Sequence, residues 1–134
     1  MKTREELQNR WEDIVEIGFS DYQALSREER IWFNLEPLTT DGIFEQYMNH
    51  GAEHIDDIIE DLIYLGFEDI TELVRRINTL FPGGKPSSDI DERNEIIENW
   101  TEAQEKIMEA VEEEFWEKCE KLDKALLSFI GVNF

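Results

Sequence analysis

Apolar residues recur at spacings of three and four along almost the whole chain, and no β-hairpin signal interrupts them. That period places one apolar stripe on each of a succession of helices. The first run holds Leu7, Trp11, Ile14, Val15 and Gly18, and the second Ile31, Trp32 and Leu35, with Pro37 expected to end it. Thr3 with Glu6 and Ser26 with Glu29 fit capping boxes ahead of these two runs. Thr40 or Asp41 can cap a short third helix with Ile43, Phe44, Tyr47 and Met48, stopped near Gly51. A fourth is expected over residues 53–65, with Ile55, Ile58, Ile59, Leu62 and Ile63 inward and Gly66 as its stop. The fifth carries Ile70, Leu73, Val74, Ile77 and Leu80. Residues 82–88 form the one clear loop, rich in Pro, Gly and Ser, and too short to mark a domain boundary.

Helical pattern resumes near Asp89 and runs to Ile130, with Thr101 and Gln104 placed to cap a fresh helix partway. Ile107, Val111, Phe115, Leu122, Leu126, Phe129 and Ile130 are expected to face the core. The expected fold is all-α, a compact bundle of about six to eight short helices making one domain over residues 1–134.

Charge narrows function more than fold. There are 33 acidic residues against 13 basic ones, a formal net charge of −20 on 134 residues. Such a surface repels nucleic acid and anionic membrane and attracts basic partners. High solubility is the plainer consequence of the same charge. No Lys or Arg occurs between Arg30 and Arg75, a stretch with eleven acids that include Glu53, Asp56, Asp57, Glu60 and Asp61. Two rows repeat every four residues: Glu53, Asp57 and Asp61, and Glu105, Glu109, Glu113 and Glu117. On a helix that spacing gives one face with a carboxylate about every 6 Å. Like charges so placed destabilise a helix by roughly 0.2–0.5 kcal/mol per pair. DNA carries one phosphate per strand for about every 3.4 Å of axis, with a backbone path roughly twice as long. A carboxylate row therefore resembles a phosphate row in sign and approximate spacing, and it equally describes a solvated helix face.

Catalytic and metal chemistry finds little support. His50 and His54 flank Glu53 at a spacing of four, but Gly51 lies inside the pair and the Glu stands in the wrong place for a zinc-protease helix. Asp89, Asp91 and Glu92 do not continue into a calcium loop, because Arg93 takes a ligand position and Trp100 the place of the closing Glu. Those acids suit the first turn of a helix. Cys119 sits among Glu117, Lys118 and Glu120, where acidic neighbours hold a thiol protonated, and as the sole cysteine it forms no internal disulfide. With no Gly-rich phosphate loop either, neither an enzyme nor a cofactor is expected. The opening residues lack the apolar run of a signal peptide and no stretch reaches the length of a membrane span, so a cytoplasmic location is expected.

Trp32, Glu36 and the segment Asp41-Gly42-Ile43-Phe44-Glu45-Gln46-Tyr47-Met48-Asn49 resemble the core motif of a small bacterial family that includes a neisserial DNA mimic. The resemblance covers about residues 28–130, and Glu113-Glu114-Phe115-Trp116 resembles a later segment of the same family. It departs at Ile43, where the family usually has a second Gly, and Asn49 stands one place early. The resemblance implies an all-α fold able to dimerise, and binding to a DNA-binding transcription factor in place of DNA. Joined with the charge, it points to an acidic module that occupies the face of a basic DNA-binding protein. The expected contact residues are Glu53, Asp56, Asp57, Glu60, Asp61, Glu105, Glu109, Glu113 and Glu117. The alternative is an immunity or adaptor protein that neutralises a toxin through a shape-specific interface.

Overall fold

Local chemistry sets some helix ends, with side-chain caps at Ser26, Asp89 and Thr101, and the remaining helices start without a cap from their own N-terminal flank. The computed structural model describes residues 2–134; among these, seven α-helices and three short 3₁₀ segments account for the regular structure, with no strand. Helix α1 spans Gln8–Ser20 and α2 spans Arg27–Asp41. The Ser26 box is complete: Glu29 N donates to Ser26 Oγ at 3.1 Å, and Ser26 N donates to Glu29 Oε1 at 2.9 Å. At Thr3 only half of the box forms. Glu6 N donates to Thr3 Oγ1 at 3.2 Å, but residues 4–7 make turns and α1 starts only at Gln8, five residues after Thr3.

Pro37 does not end α2, contrary to expectation. A proline costs a helix one backbone hydrogen bond and some crowding, about 3 kcal/mol. Here the buried side chains of Leu35 and Leu38 lie on either side of it and hold both halves of the helix in the core. The stop is Gly42, at φ 91°, a conformation that side-chain-bearing residues rarely adopt.

Helix α3 spans Ile43–Met48, and α4 spans Ile55–Tyr64 after a 3₁₀ turn at His50–His54. Glu53 therefore lies on the turn and not on the helix. Inside α4 the buried positions are Ile55, Ile58, Asp61 and Leu62, while Ile63 is 42% exposed. The helix is rotated from the expected orientation, with a carboxylate inward and an isoleucine outward. Past its end Gly66 adopts φ 90°; its N–H donates to Ile63 O, and Phe67 N donates back to Leu62 O at 2.9 Å, a Schellman closure.

Helices α5 (Glu68–Asn78), α6 (Ile90–Glu98) and α7 (Glu102–Asn133) complete the chain. Asp89 caps α6 by accepting from Asp91 N at 2.9 Å. Arg93 of α6 is fully buried, its guanidinium donating to the carbonyls of Ser87, Tyr47 and Asn49. It thereby ties the 82–88 loop to the end of α3.

Thr101 and Gln104 form the second complete box, and from it α7 runs 32 residues, about 48 Å. Its buried stripe is Met108, Val111, Phe115, Cys119, Leu122, Leu126 and Ile130. Ile107, expected inward, is 45% exposed because Met108 holds that turn's core position. Helix α7 packs on α2, α5 and α3, and α2 also packs on α4, so one core runs between the longest helix and the rest.

Candidate functional site

The two carboxylate rows prove different once their surroundings are known. Every acid of the row around α4 faces a cation. Arg30 of α2 reaches Asp61 at 2.6 Å, Glu60 at 3.5 Å and Asp57 at 3.7 Å. Asp56 meets Lys85 at 3.1 Å, and Glu53 meets His50 at 2.6 Å and Arg93 at 3.9 Å.

Asp61 is wholly buried, so it is no part of an outer surface. Asn34 also donates to it, at 3.1 Å, and to the Tyr22 hydroxyl at 3.0 Å; that hydroxyl in turn donates to Asp57 at 2.7 Å. Burial raises the Asp61 carboxyl above the usual Asp range against the pull of Arg30 and Asn34. Burial likewise raises the Tyr22 phenol, which stays protonated and able to donate. For Arg30, burial works against the charge, but its three carboxylate neighbours outweigh it and hold its pKa above the ordinary value. This arrangement is a structural joint between α2 and α4. Four-residue spacing put Glu53, Asp57 and Asp61 on one helix face, but Glu53 lies on the turn before α4, Asp61 points inward, and the spacing carried no information about the arginine opposite.

On α7 the row survives. Glu105, Glu109, Glu113 and Glu117 are all exposed, and among the described residues none lies within ion-pair distance of a Lys, Arg or His. Their neighbours on the same helix are taken: Glu102 by Lys106 at 3.6 Å, Glu114 by Arg76 at 2.6 Å, and Glu120 by Lys124 at 3.0 Å. The free row spans three intervals of four residues, about 18 Å along one rigid helix.

Glu112, between these two sets, has a distinct role that spacing alone did not reveal. Its Oε2 accepts the Phe44 N–H at 2.9 Å, capping α3 from a helix 68 residues away, and its Oε1 accepts from Trp116 Nε1 at 3.0 Å. The expected caps, Thr40 and Asp41, do not serve: the Thr40 hydroxyl donates back to Glu36 O within α2. A Cβ on Gly42 would stand 2.2 Å from Glu112 Oε1 and 2.9 Å from Trp116, so both the backbone angle and the close approach require glycine.

Beside this joint lies a groove of about 520 Å³ with an apolar floor of Phe44, Ile97, Trp100, Met108 and Trp116, and with Glu105, Glu109 and Glu113 along its edge. Trp116 is 46% exposed. The sequence does hold a signal for it. Trp116 falls one position off the stripe through Met108, Phe115 and Cys119, so helical periodicity itself puts a large aromatic outside the core.

The histidines are engaged locally: His54 stacks on Tyr22 with centroids 3.6 Å apart, and His50 hydrogen-bonds Glu53. Cys119 is buried, and burial with Asp123 and Glu112 nearby pushes its thiol pKa up, as expected of an inert thiol. No described helix is long and apolar enough to cross a membrane.

A family model described as DMP19-like protein matches residues 23–133. The chain belongs to this family. It is the DNA-mimic family that the motif around Gly42 resembles. No curated protein and no solved structure gives a significant match. The motif residues are structural in this fold: Trp32, Ile43, Gln46 and Tyr47 are buried, and Gly42 makes the sharp passage from α2 to α3. The Tyr47 hydroxyl donates to Asn78 Oδ1 at 2.7 Å, joining that motif to α5. The segment around Gly42 thus builds the scaffold, and the free carboxylates lie on α7, outside that segment though within the matched residues.

Proposed function

We propose that this member of the DMP19-like family is a DNA mimic that occupies the DNA-binding face of a transcription factor or another basic DNA-binding protein. Its working edge is the row Glu105, Glu109, Glu113 and Glu117, flanked by the remaining acids of the surface. The observation that carries the reading is the absence of counter-ions from that row among the described residues, while the other acids of α7 that neighbour it are paired or serve as a cap. A helix accepts self-repulsion of this kind at a cost, and a basic partner removes it on docking.

Repeated at about 6 Å, the carboxylates match the path between phosphates closely enough to meet Lys and Arg side chains set out for a duplex. Glu53, Asp56 and Glu60 contribute negative field from beyond this row, weakened by Arg93, Lys85 and Arg30. Asp57 and Asp61 are left to structure. The role requires no catalysis, in keeping with a family of mimics. Binding of this type is fast and sensitive to salt.

The test is capture from cell extract by the wild-type chain and by a variant with all four row glutamates changed to Gln. The wild type should retain basic DNA-binding proteins that short duplex DNA displaces, and the variant should lose them. Equal capture by the two proteins would remove the row from the function.

A further inference from the structure

The apolar groove beside the α7 row is not accounted for by imitation of phosphate. A partner held by charge alone would leave the exposed Trp116 and the half-buried Phe44 wet, next to the carboxylates of Glu105, Glu109 and Glu113. We propose that the groove receives one apolar side chain of the partner, set between Lys or Arg residues that engage Glu105, Glu109 and Glu113. This rests on the mimicry reading in taking the α7 row as the docking edge.

Two observations and one general property of DNA-reading helices support that occupant. The floor is apolar and the edge is lined with carboxylates that have no ion pair among the described residues, so the complementary ligand is apolar at its tip and basic at its flanks. The floor is also preorganised: Trp116 is held by its bond to Glu112, which is itself held by the Phe44 N–H, while Phe44 stacks near Trp100 with centroids 6.2 Å apart. Little side-chain freedom remains to be lost on binding. Finally, helices that read the major groove of DNA present apolar side chains to thymine methyl groups as well as basic ones to phosphate. A mimic of the duplex gains specificity over a simple polyanion if it offers such a side chain a seat. A second copy of this chain is the poorer occupant, because symmetric docking on this face sets one carboxylate row against its twin.

The experiment uses the full chain and two synthetic basic peptides that differ at one place, Phe or Ser between pairs of Lys, titrated calorimetrically at low and physiological salt. Seating the Phe ring should make that peptide bind about tenfold tighter or more. The ratio should hold as salt rises, although both affinities fall. Trp116→Ala should bring the ratio to about one, and Trp116→Phe should keep most of it; the thermal melts of both variants establish that they fold. Glu109→Gln with Glu113→Gln should weaken both peptides alike and leave the ratio intact.

A ratio near one in the wild type overturns the groove's role and leaves mimicry by the row standing. A preserved ratio with no response to salt or to the glutamate changes sinks the mimicry and supports the groove. Sedimentation that shows a dimer dissolved by Trp116→Ala would give the groove to a second copy and overturn the proposal.

Discussion

Changing Glu113 to Gln should make the protein more stable, and changing its neighbour Glu112 to Gln should make it less so. Glu113 is exposed, with Glu109 and Glu117 one turn to either side and no cation within ion-pair distance among the described residues. Removing its charge relieves two like-charge contacts of about 0.2–0.5 kcal/mol each, and Gln has nearly the same helix propensity as Glu. The gain is therefore about 0.4–1 kcal/mol. For 134 residues the unfolding entropy near the midpoint is about 0.3 kcal/mol per kelvin, so Tm should rise by about 1.5–3.5 °C.

Glu112 instead accepts two bonds, from the Phe44 amide and the Trp116 indole, one at each carboxylate oxygen. Gln has one acceptor oxygen to offer, and its amide nitrogen would confront a donor. One donor is left unmet, at a cost of about 1–2 kcal/mol, which lowers Tm by about 3.5–7 °C. Differential scanning calorimetry in low salt measures both. The Glu113 gain should vanish in about 0.5 M salt, where charges are screened within a few ångströms, while the Glu112 loss persists. Shifts of the same sign, or a Glu113 gain indifferent to salt, would show that the row is not an unscreened array.

Two further outcomes follow from the ion pairs. Arg30→Gln strands the buried Asp61 carboxylate and should cost about 3–5 kcal/mol by urea unfolding, most of it recovered when Asp61→Asn is added. Because the folded-state pKa of Asp61 is raised, the penalty of the single variant should grow as pH climbs through that raised value and ease below the ordinary Asp range. Glu29 behaves oppositely. Its pKa is lowered, first by the Ser26 N–H it accepts, so its contribution is present above the ordinary Glu value and is lost as pH falls through the depressed one. Glu29→Ala should therefore cost about 1 kcal/mol at neutral pH, with the gap to wild type closing in acid.

The features legible in the sequence were the local ones. The boxes at Ser26 and Thr101, the glycine stop at Gly66 and the division of the last stretch into α6 and α7 are settled among residues a few positions apart, and they fold as their spacing predicts. The all-α class follows from the same short-range periodicity. Pro37 shows the limit of that reasoning: its local cost is real, but two buried leucines outweigh it, and their burial is decided by helices distant in sequence.

What tertiary structure alone decided is which acids are free. A spacing of four places carboxylates on one face of a helix and is silent about what stands opposite. Asp61 and Glu113 each stand third in their rows, yet α2 sets Arg30 and Asn34 against the first, and among the described residues nothing basic reaches the second. Glu112 became a cap because the turn at Gly42 brings the Phe44 amide to it across 68 residues of chain. Charge is carried by the sequence as a sum; its arrangement into a paired joint on α4 and an open edge on α7 is a property of helix packing, because electrostatic partners are chosen by distance in space.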